Sequence, residues 1–180
     1  STGGPMDAPA LHVEIDGAGP ALVLGHGFGG SARNFRAQAR ALADCARVGR
    51  SGARGHAGRP APADASAYTP AAMVADVGRV LDHAGVDAGV IGGLSMGAGI
   101  ALRFALAHPE RTRGLVLAAF PPGADTPGTF AAVARPFADA IEADGLEAAG
   151  ARFVWGPASG LDPRGAALVR QGFLEHAPHA

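Results

Sequence analysis

The pentapeptide Gly93-Leu94-Ser95-Met96-Gly97 has the pattern G-x-S-x-G, and the interpretation of this 180-residue sequence starts from it. An apolar run at residues 88–92 predicts a strand before it, and an amphipathic pattern up to about residue 108 predicts a helix after it. A serine on such a tight strand-to-helix turn projects its hydroxyl above the sheet, beside the positive end of the helix dipole. The alternative is a glycine-rich turn with an ordinary capping serine, and the flanking strand and helix favour the first interpretation.

A second glycine-rich segment, Gly25-His26-Gly27-Phe28-Gly29-Gly30, follows a predicted strand at residues 21–24. A loop in this place can direct a backbone N–H at a developing oxyanion, so the amides of Phe28 and Met96 are predicted to form a two-donor oxyanion hole. The same glycines also match the dinucleotide fingerprint G-x-G-x-x-G. That alternative needs an acidic residue at the end of the next strand, whereas Asp44 precedes that strand, and two bulky side chains in the loop would crowd a pyrophosphate.

Short apolar runs alternate with helical patterns along the first two thirds of the sequence. Strands are predicted at residues 11–15, 21–24, 45–48, 88–92 and 114–120, and helices at 31–44, 70–84 and 97–108. This order predicts an α/β fold, a three-layer sandwich in which helices cover both faces of a mostly parallel sheet. Helices predicted at 129–144, 146–153 and 163–176 follow without a strand between them, so we predict a core over residues 1–124 and a helical cap over residues 125–180.

Composition excludes several classes of function. The formal net charge is −1, so no broad basic field is available to hold nucleic acid or an anionic membrane. All 15 basic residues are arginines, which excludes a phosphate-binding lysine or a lysine Schiff base. A single cysteine excludes an internal disulfide framework, and no apolar run approaches the ~20 residues of a membrane span. We expect a cytoplasmic protein that needs neither a metal nor a cofactor.

Five motifs occur in the order in which the α/β-hydrolase superfamily carries them, and on this basis the sequence resembles that superfamily. They are His26-Gly27-Phe28-Gly29, Arg54-Gly55-His56, Tyr68-Thr69, Gly93-Leu94-Ser95-Met96-Gly97 and His108-Pro109-Glu110-Arg111. Within the superfamily, the turn around Ser95 is similar to that of the small ester and enol-lactone hydrolases. A serine there argues against the branches with an aspartate nucleophile, the haloalkane dehalogenases and epoxide hydrolases.

The resemblance implies that Ser95 is the nucleophile and that the N–H groups of Phe28 and Met96 hold the oxyanion. It further implies that the His26 ring braces this hole. We expect His26 and Gly27 to support the site. For Trp155 we expect packing in the cap, and the functional alternative is that it lines an acyl pocket and binds substrate. The expected substrate is a small carboxylic ester or lactone, cleaved through an acyl-enzyme. Acyl transfer and carbon–carbon hydrolysis are related alternatives.

The acid and the histidine of the family's triad are expected on loops after two further strands, beyond Ala180. Three explanations remain open. The chain is a fragment of a longer enzyme, it is a catalytically incomplete binding or interaction protein, or it recruits Asp125 together with His176 or His179. If no further strand follows, residues 114–120 form an uncovered sheet edge, through which the chain is expected to form homo-oligomers.

The region around the third predicted strand departs from the family pattern. Gly52 stands where relatives often carry an aspartate two residues before Arg54, and residues 47–51 are unusually polar. Cys45 starts the predicted strand, and we expect it to be a buried small hydrophobic residue rather than a nucleophile.

Overall fold

A computed structural model of the chain describes residues 10–179, except 58, 121–122, 124–125 and 127. The strands are β1 (Val13–Asp16), β2 (Ala21–Gly25), β3 (Arg47–Ser51), β4 (Gly89–Leu94) and β5 (Thr112–Ala118). They form one sheet in the order β1-β3-β2-β4-β5, with β1 antiparallel to β3 and the other neighbours parallel. The predicted mostly parallel sheet is confirmed.

Five α-helices accompany the strands in the described part of the chain. They are α1 (Arg36–Leu42), α2 (Pro70–His83), α3 (Met96–Ala107), α4 (Thr129–Phe153) and α5 (Pro163–Phe173). Short 3-10 turns lie at Ala32–Phe35, Ala65–Tyr68, Pro109–Arg111 and Pro157–Ser159. The Thr69 side chain caps α2 by accepting from the amide of Ala72, and Pro70 occupies the first helical position, as the sequence predicts. No helix among these combines the length and the hydropathy that crossing a membrane requires.

Neighbouring residues of β2 point to opposite faces of the sheet, and each face is covered by helices. Val23 packs with residues of α2 and α3 that include Phe104, whereas Leu24 packs with Ala39 of α1 and Val48 of β3. Strand side chains alternate between faces, so this division produces a helix layer on each side of the sheet. The three-layer architecture predicted from the sequence is therefore confirmed.

The third strand lies further along the chain than the sequence predicts. It is predicted at residues 45–48 but spans Arg47–Ser51, and Cys45 is exposed in the turn before it rather than buried. Parallel pairing with β2, up to Gly25 opposite Ser51, extends the strand across its polar residues. Arg50 is tolerated inside the sheet because it pairs with Asp16 and with Glu14, the latter at 3.0 Å. Hydrophobic periodicity cannot anticipate a strand whose buried charge is neutralised by a neighbouring strand.

The C-terminal part is helical, as predicted. Helix α4 is interrupted at Gly145, which has φ 82° and ψ 169°, so its two halves correspond to the predicted helices at 129–144 and 146–153. Helix α5 ends at Phe173, three residues before the predicted end. Phe137 and Phe173 join the two helices through a small apolar core. The division into a core and a cap at residue 124 stays a prediction, because that boundary falls outside the described residues.

Candidate active site

Ser95 occupies the junction between β4 and α3 and has a backbone conformation that is rare for a residue with a side chain. Its φ is 52° and its ψ is −108°. Its N–H donates to the carbonyl oxygen of Ala118 in β5 at 2.9 Å, and its carbonyl accepts from Gly99 in α3 at 3.0 Å. Such strain persists only where the surrounding structure fixes it, and it is concentrated at functional sites.

The glycines on either side of Ser95 allow β2, β4 and α3 to approach each other at the level of the backbone. A β-carbon on Gly93 would stand 2.6 Å from the carbonyl oxygen of Gly25. A β-carbon on Gly97 would stand 2.8 Å from the carbonyl oxygen of His26. No side chain fits at either position, so the glycines in the G-x-S-x-G pattern are a packing requirement of this turn.

The loop after β2 lies directly against Ser95. A β-carbon placed on Gly27 would be 3.6 Å from the β-carbon of Ser95. Phe28 follows Gly27, and Met96 follows Ser95 as the first residue of α3, so both predicted oxyanion donors belong to the two segments that meet here. Within the described part of the chain, neither amide hydrogen has an acceptor. A pair of free N–H groups that faces a serine hydroxyl is the donor set that acyl transfer chemistry uses.

His26 ties this loop to the segment after β3. Its side chain is 2% exposed; Nδ1–H donates to the carbonyl of Gly27 at 2.7 Å, and Nε2 accepts from the amide of Ala53 at 2.8 Å. Because a carbonyl can only accept and an amide can only donate, both bonds require the neutral imidazole with its proton on Nδ1. Burial lowers the pKa of His26, which favours the same neutral form.

A buried ion-pair network links the segment after β3 to α2. Arg54 donates from Nε and Nη2 to the two carboxylate oxygens of Asp76 in α2, at 2.8 and 3.1 Å. Arg59 and Arg79 also donate to this carboxylate, at 3.2 and 2.9 Å. The sequence analysis did not identify Asp76 as a partner of Arg54. Its acidic side chain on the otherwise apolar face of α2 was the available signal.

A cavity of about 510 Å³ opens above Ser95. Its walls are Tyr68, Pro70, Met73, Ser95, Met96, Gly99, Ile100, Arg103, Ala119, Phe120, Thr126, Gly128 and Phe130. The walls are mainly apolar, with the serine hydroxyl and a few polar groups at one side, which is the general character of a small-molecule site. Among the described wall residues, none is a histidine or a carboxylate. The described residues also contain no cluster of three or more metal-ligating side chains.

The other candidate residues lie away from this cavity. Trp155 packs against Phe173, with ring centroids 5.6 Å apart, and is not part of the cavity wall. Trp155 therefore packs in the cap, as expected, rather than lining the cavity beside Ser95. His176 contacts Phe173 and His56, and His179 bonds to the carbonyl of residue 61, so neither meets Ser95. Asp125 lies outside the described residues.

A match to a family model identifies the family to which this chain belongs. Residues 20–146 match the family model for the alpha/beta hydrolase fold. The chain belongs to the α/β-hydrolase fold family. This match contains both the loop after β2 and the turn around Ser95.

Individual α/β-hydrolases resemble different portions of the chain. An epoxide hydrolase of Caballeronia sordidicola is 36% identical over 107 residues, which are 59% of this chain and 32% of that protein. A thermophilic esterase from Thermogutta terrifontis has a similar structure, with a TM-score of 0.80 and 26% identity over 95% of this chain and 64% of that one. The enol-lactonase from Burkholderia xenovorans LB400 shares the fold, with a TM-score of 0.79 and 24% identity over 96% of this chain and 67% of that one. The chain spans about a sixth to a half of the length of the curated relatives that it matches.

Proposed function

We propose that this α/β-hydrolase chain carries the nucleophile and the oxyanion hole of a serine hydrolase that cleaves carboxylic esters or lactones. The supporting observation is the strained position of Ser95 at the end of β4, with the loop after β2 against it. Ser95 Oγ attacks the substrate carbonyl, while the N–H groups of Phe28 and Met96 stabilise the oxyanion. Collapse of the tetrahedral intermediate expels the alcohol and leaves an acyl-enzyme, which water hydrolyses.

A serine at position 95 favours acyl chemistry over epoxide opening. An epoxide opened by a serine oxygen would leave an ether on the protein, and water does not hydrolyse an alkyl ether at neutral pH. An acyl group on the same oxygen is an ester, which a second attack by water releases. The epoxide hydrolase from Caballeronia sordidicola therefore supports hydrolase chemistry in the family, and the nucleophile of this chain supports esters and lactones as substrates.

The proposed reaction requires a general base that takes the proton from Ser95. Such a base contributes about 10²–10⁴-fold to the rate. Since none of the described wall residues of the cavity is a histidine or carboxylate, the base has to come from residues outside those described walls. The same observation supports a second candidate function, in which the chain binds a small ligand in this cavity without cleaving it.

Covalent labelling distinguishes the two candidates. We expect a fluorophosphonate probe to label the wild-type chain and the Ser66→Ala variant, but not the Ser95→Ala variant. Ser66 is a matched control, because it is an exposed serine whose hydroxyl already donates to the carboxylate of Asp64 at 2.6 Å. If wild type and Ser95→Ala are both labelled to the same extent, the proposed nucleophile is overturned. If none of the three proteins is labelled while p-nitrophenyl esters still bind to the wild type, the binding function is supported instead.

A further inference from the structure

A second cleft, of about 530 Å³, lies between β1, the start of α1 and the segment after β3, and we call it the arginine cleft. Its walls include Arg33, Arg36, Arg59, Glu14 and Glu175. It shares no wall residue with the cavity above Ser95, so the proposed hydrolase function does not account for it.

Arg59 carries a buried donor that nothing in the described part of the chain satisfies. The side chain is only 2% exposed, yet its Nε–H has no hydrogen-bond partner there. The other nitrogens are used, since Nη1 donates to the carbonyl of Ala10 at 2.6 Å and Nη2 to Asp76 at 3.2 Å. An unpaired buried donor on a charged group is costly, and it indicates an acceptor outside the described residues.

The local sequence leaves this side of Arg59 without a carboxylate. Gly52 lies in the wall of the cleft beside the Arg59 stem, where a β-carbon on Gly52 would stand 2.9 Å from Cγ of Arg59. This is the position at which the sequence analysis noted a missing aspartate. A glycine here leaves room for the aliphatic stem of Arg59 and places no negative charge beside it.

The side chains that line the cleft carry an excess of positive charge. Among the described wall residues, three arginines face two carboxylates, although the whole chain has a net charge of −1. They are Arg33, Arg36 and Arg59, and Glu14 and Glu175. Burial lowers the pKa of Arg59, and nearby positive charges add to this effect against the opposing influence of Asp76. A bound anion would relieve the excess positive charge.

We propose that the arginine cleft binds an oxyanion, the phosphate or carboxylate group of a small molecule. Arg59 is the proposed donor through its free Nε–H, which is buried at the cleft wall and meets the ligand when the side chain shifts toward it. Arg36 contributes a second cation, because it is half-exposed and its nearest carboxylate, Glu14, is 4.0 Å away. Arg33 is already paired with Glu175, so it does not anchor the ligand.

Titration of the intact chain with sodium phosphate and with sodium acetate, at constant ionic strength set by sodium chloride, tests this site. We expect calorimetric binding of at least one of the two anions, and the arm that responds identifies the ligand group as phosphate or carboxylate. Arg36→Gln should weaken this binding about tenfold. Arg40→Gln is the matched control, because it removes the same charge one turn further along α1 and outside the cleft; it should change binding by less than about twofold.

Arg59→Lys provides a second, independent measurement. Lysine keeps the positive charge but has no Nε–H and no planar fork, so binding should be lost while the circular dichroism spectrum is unchanged. If this variant fails to fold, the comparison between Arg36→Gln and Arg40→Gln still decides the question. The proposal is overturned if neither anion binds more strongly than chloride, or if those two variants weaken binding equally. Ser95→Ala should bind the anion like the wild type, so this result is independent of the hydrolase proposal.

Discussion

A β-carbon on Gly97, in the first turn of α3, would stand 2.5 Å from the carbonyl carbon of Gly25 at the end of β2, and closer still to its oxygen. The helix that follows Ser95 therefore rests on the backbone of the neighbouring strand. This contact fixes the turn that carries Ser95 against the loop that carries Gly27. The position of the proposed nucleophile relative to the proposed oxyanion hole thus depends on the absence of one methyl group.

Gly97→Ala is expected to destabilise the chain by about 1–3 kcal/mol or more, because the added methyl group meets backbone atoms that cannot move independently. Gly172→Ala is the matched control in another helix. No atom lies within 4 Å of its added carbon, so it should stabilise the chain by about 0.5–1 kcal/mol. Urea unfolding of both variants measures the difference. Equal effects of the two substitutions would show that the close contact is not a constraint.

Asp76→Asn is expected to lower the free energy of unfolding by about 3–5 kcal/mol, because Arg54 and Arg59 would remain buried without a counter-charge. Asp82→Asn removes an acid from the same helix, but its pair with Arg111 is exposed, so the loss should be below about 1 kcal/mol. Denaturant titration of both variants tests this. A small loss for Asp76→Asn would mean that the network is not important for stability.

Stability is expected to fall as the pH is lowered through the window between about 6.5 and about 4. Burial lowers the pKa of His56 from 6.5 to about 4, and the charges of His26 and His176 act in the same direction. Within this window the unfolded chain binds a proton that the folded chain does not, so acidification favours unfolding by up to about 3 kcal/mol. Above about pH 6.5, the contribution of His56 to the free energy of unfolding does not change with pH.

Two histidine variants isolate this effect from other titrating groups. Free energies of unfolding at pH 7 and pH 4 should differ less for His56→Gln than for the wild type. His83→Gln removes an exposed imidazole and should behave like the wild type. If His56→Gln keeps the full pH dependence, His56 is not the responsible group.

Self-association through β5 is expected, because this strand lies at the end of the strand order and its second edge is unpaired in the described part of the chain. Leu115, Val116 and Leu117 are 40%, 48% and 41% exposed, so an apolar surface accompanies the free edge. Leu117→Lys should reduce association in sedimentation velocity experiments over a concentration series. Leu106→Lys changes an even more exposed leucine on α3 and should not. A wild-type chain that stays monomeric throughout would contradict the proposed interface.

Local signals predicted α2 and the two halves of α4 well. The start of α2 is encoded by a capping threonine and a proline, and the interruption of α4 by one glycine at positive φ, so neighbouring residues suffice in both cases. The sequence predicts the third strand two residues too early, because the ends of this strand depend on pairing with β2 and on the ion pairs of Arg50, and both partners are distant in sequence. For the same reason, the prediction that Cys45 is buried is wrong.

The order of strands and helices follows from the residues alone, because hydrophobic periodicity is local and leaves a direct trace in the sequence. The motifs around Ser95 and in the loop after β2 are local in the same way, and their resemblance to the α/β-hydrolases implies the family and the proposed nucleophile. The approach of Gly97 to Gly25, the place of Trp155 in the cap core and the pairing of Arg54 with Asp76 were decided by packing. The arginine cleft was also decided by packing, because its walls come from β1, α1 and the segment after β3. Contacts between segments far apart in the chain depend on how the layers fit together, and no local pattern of residue types records that fit.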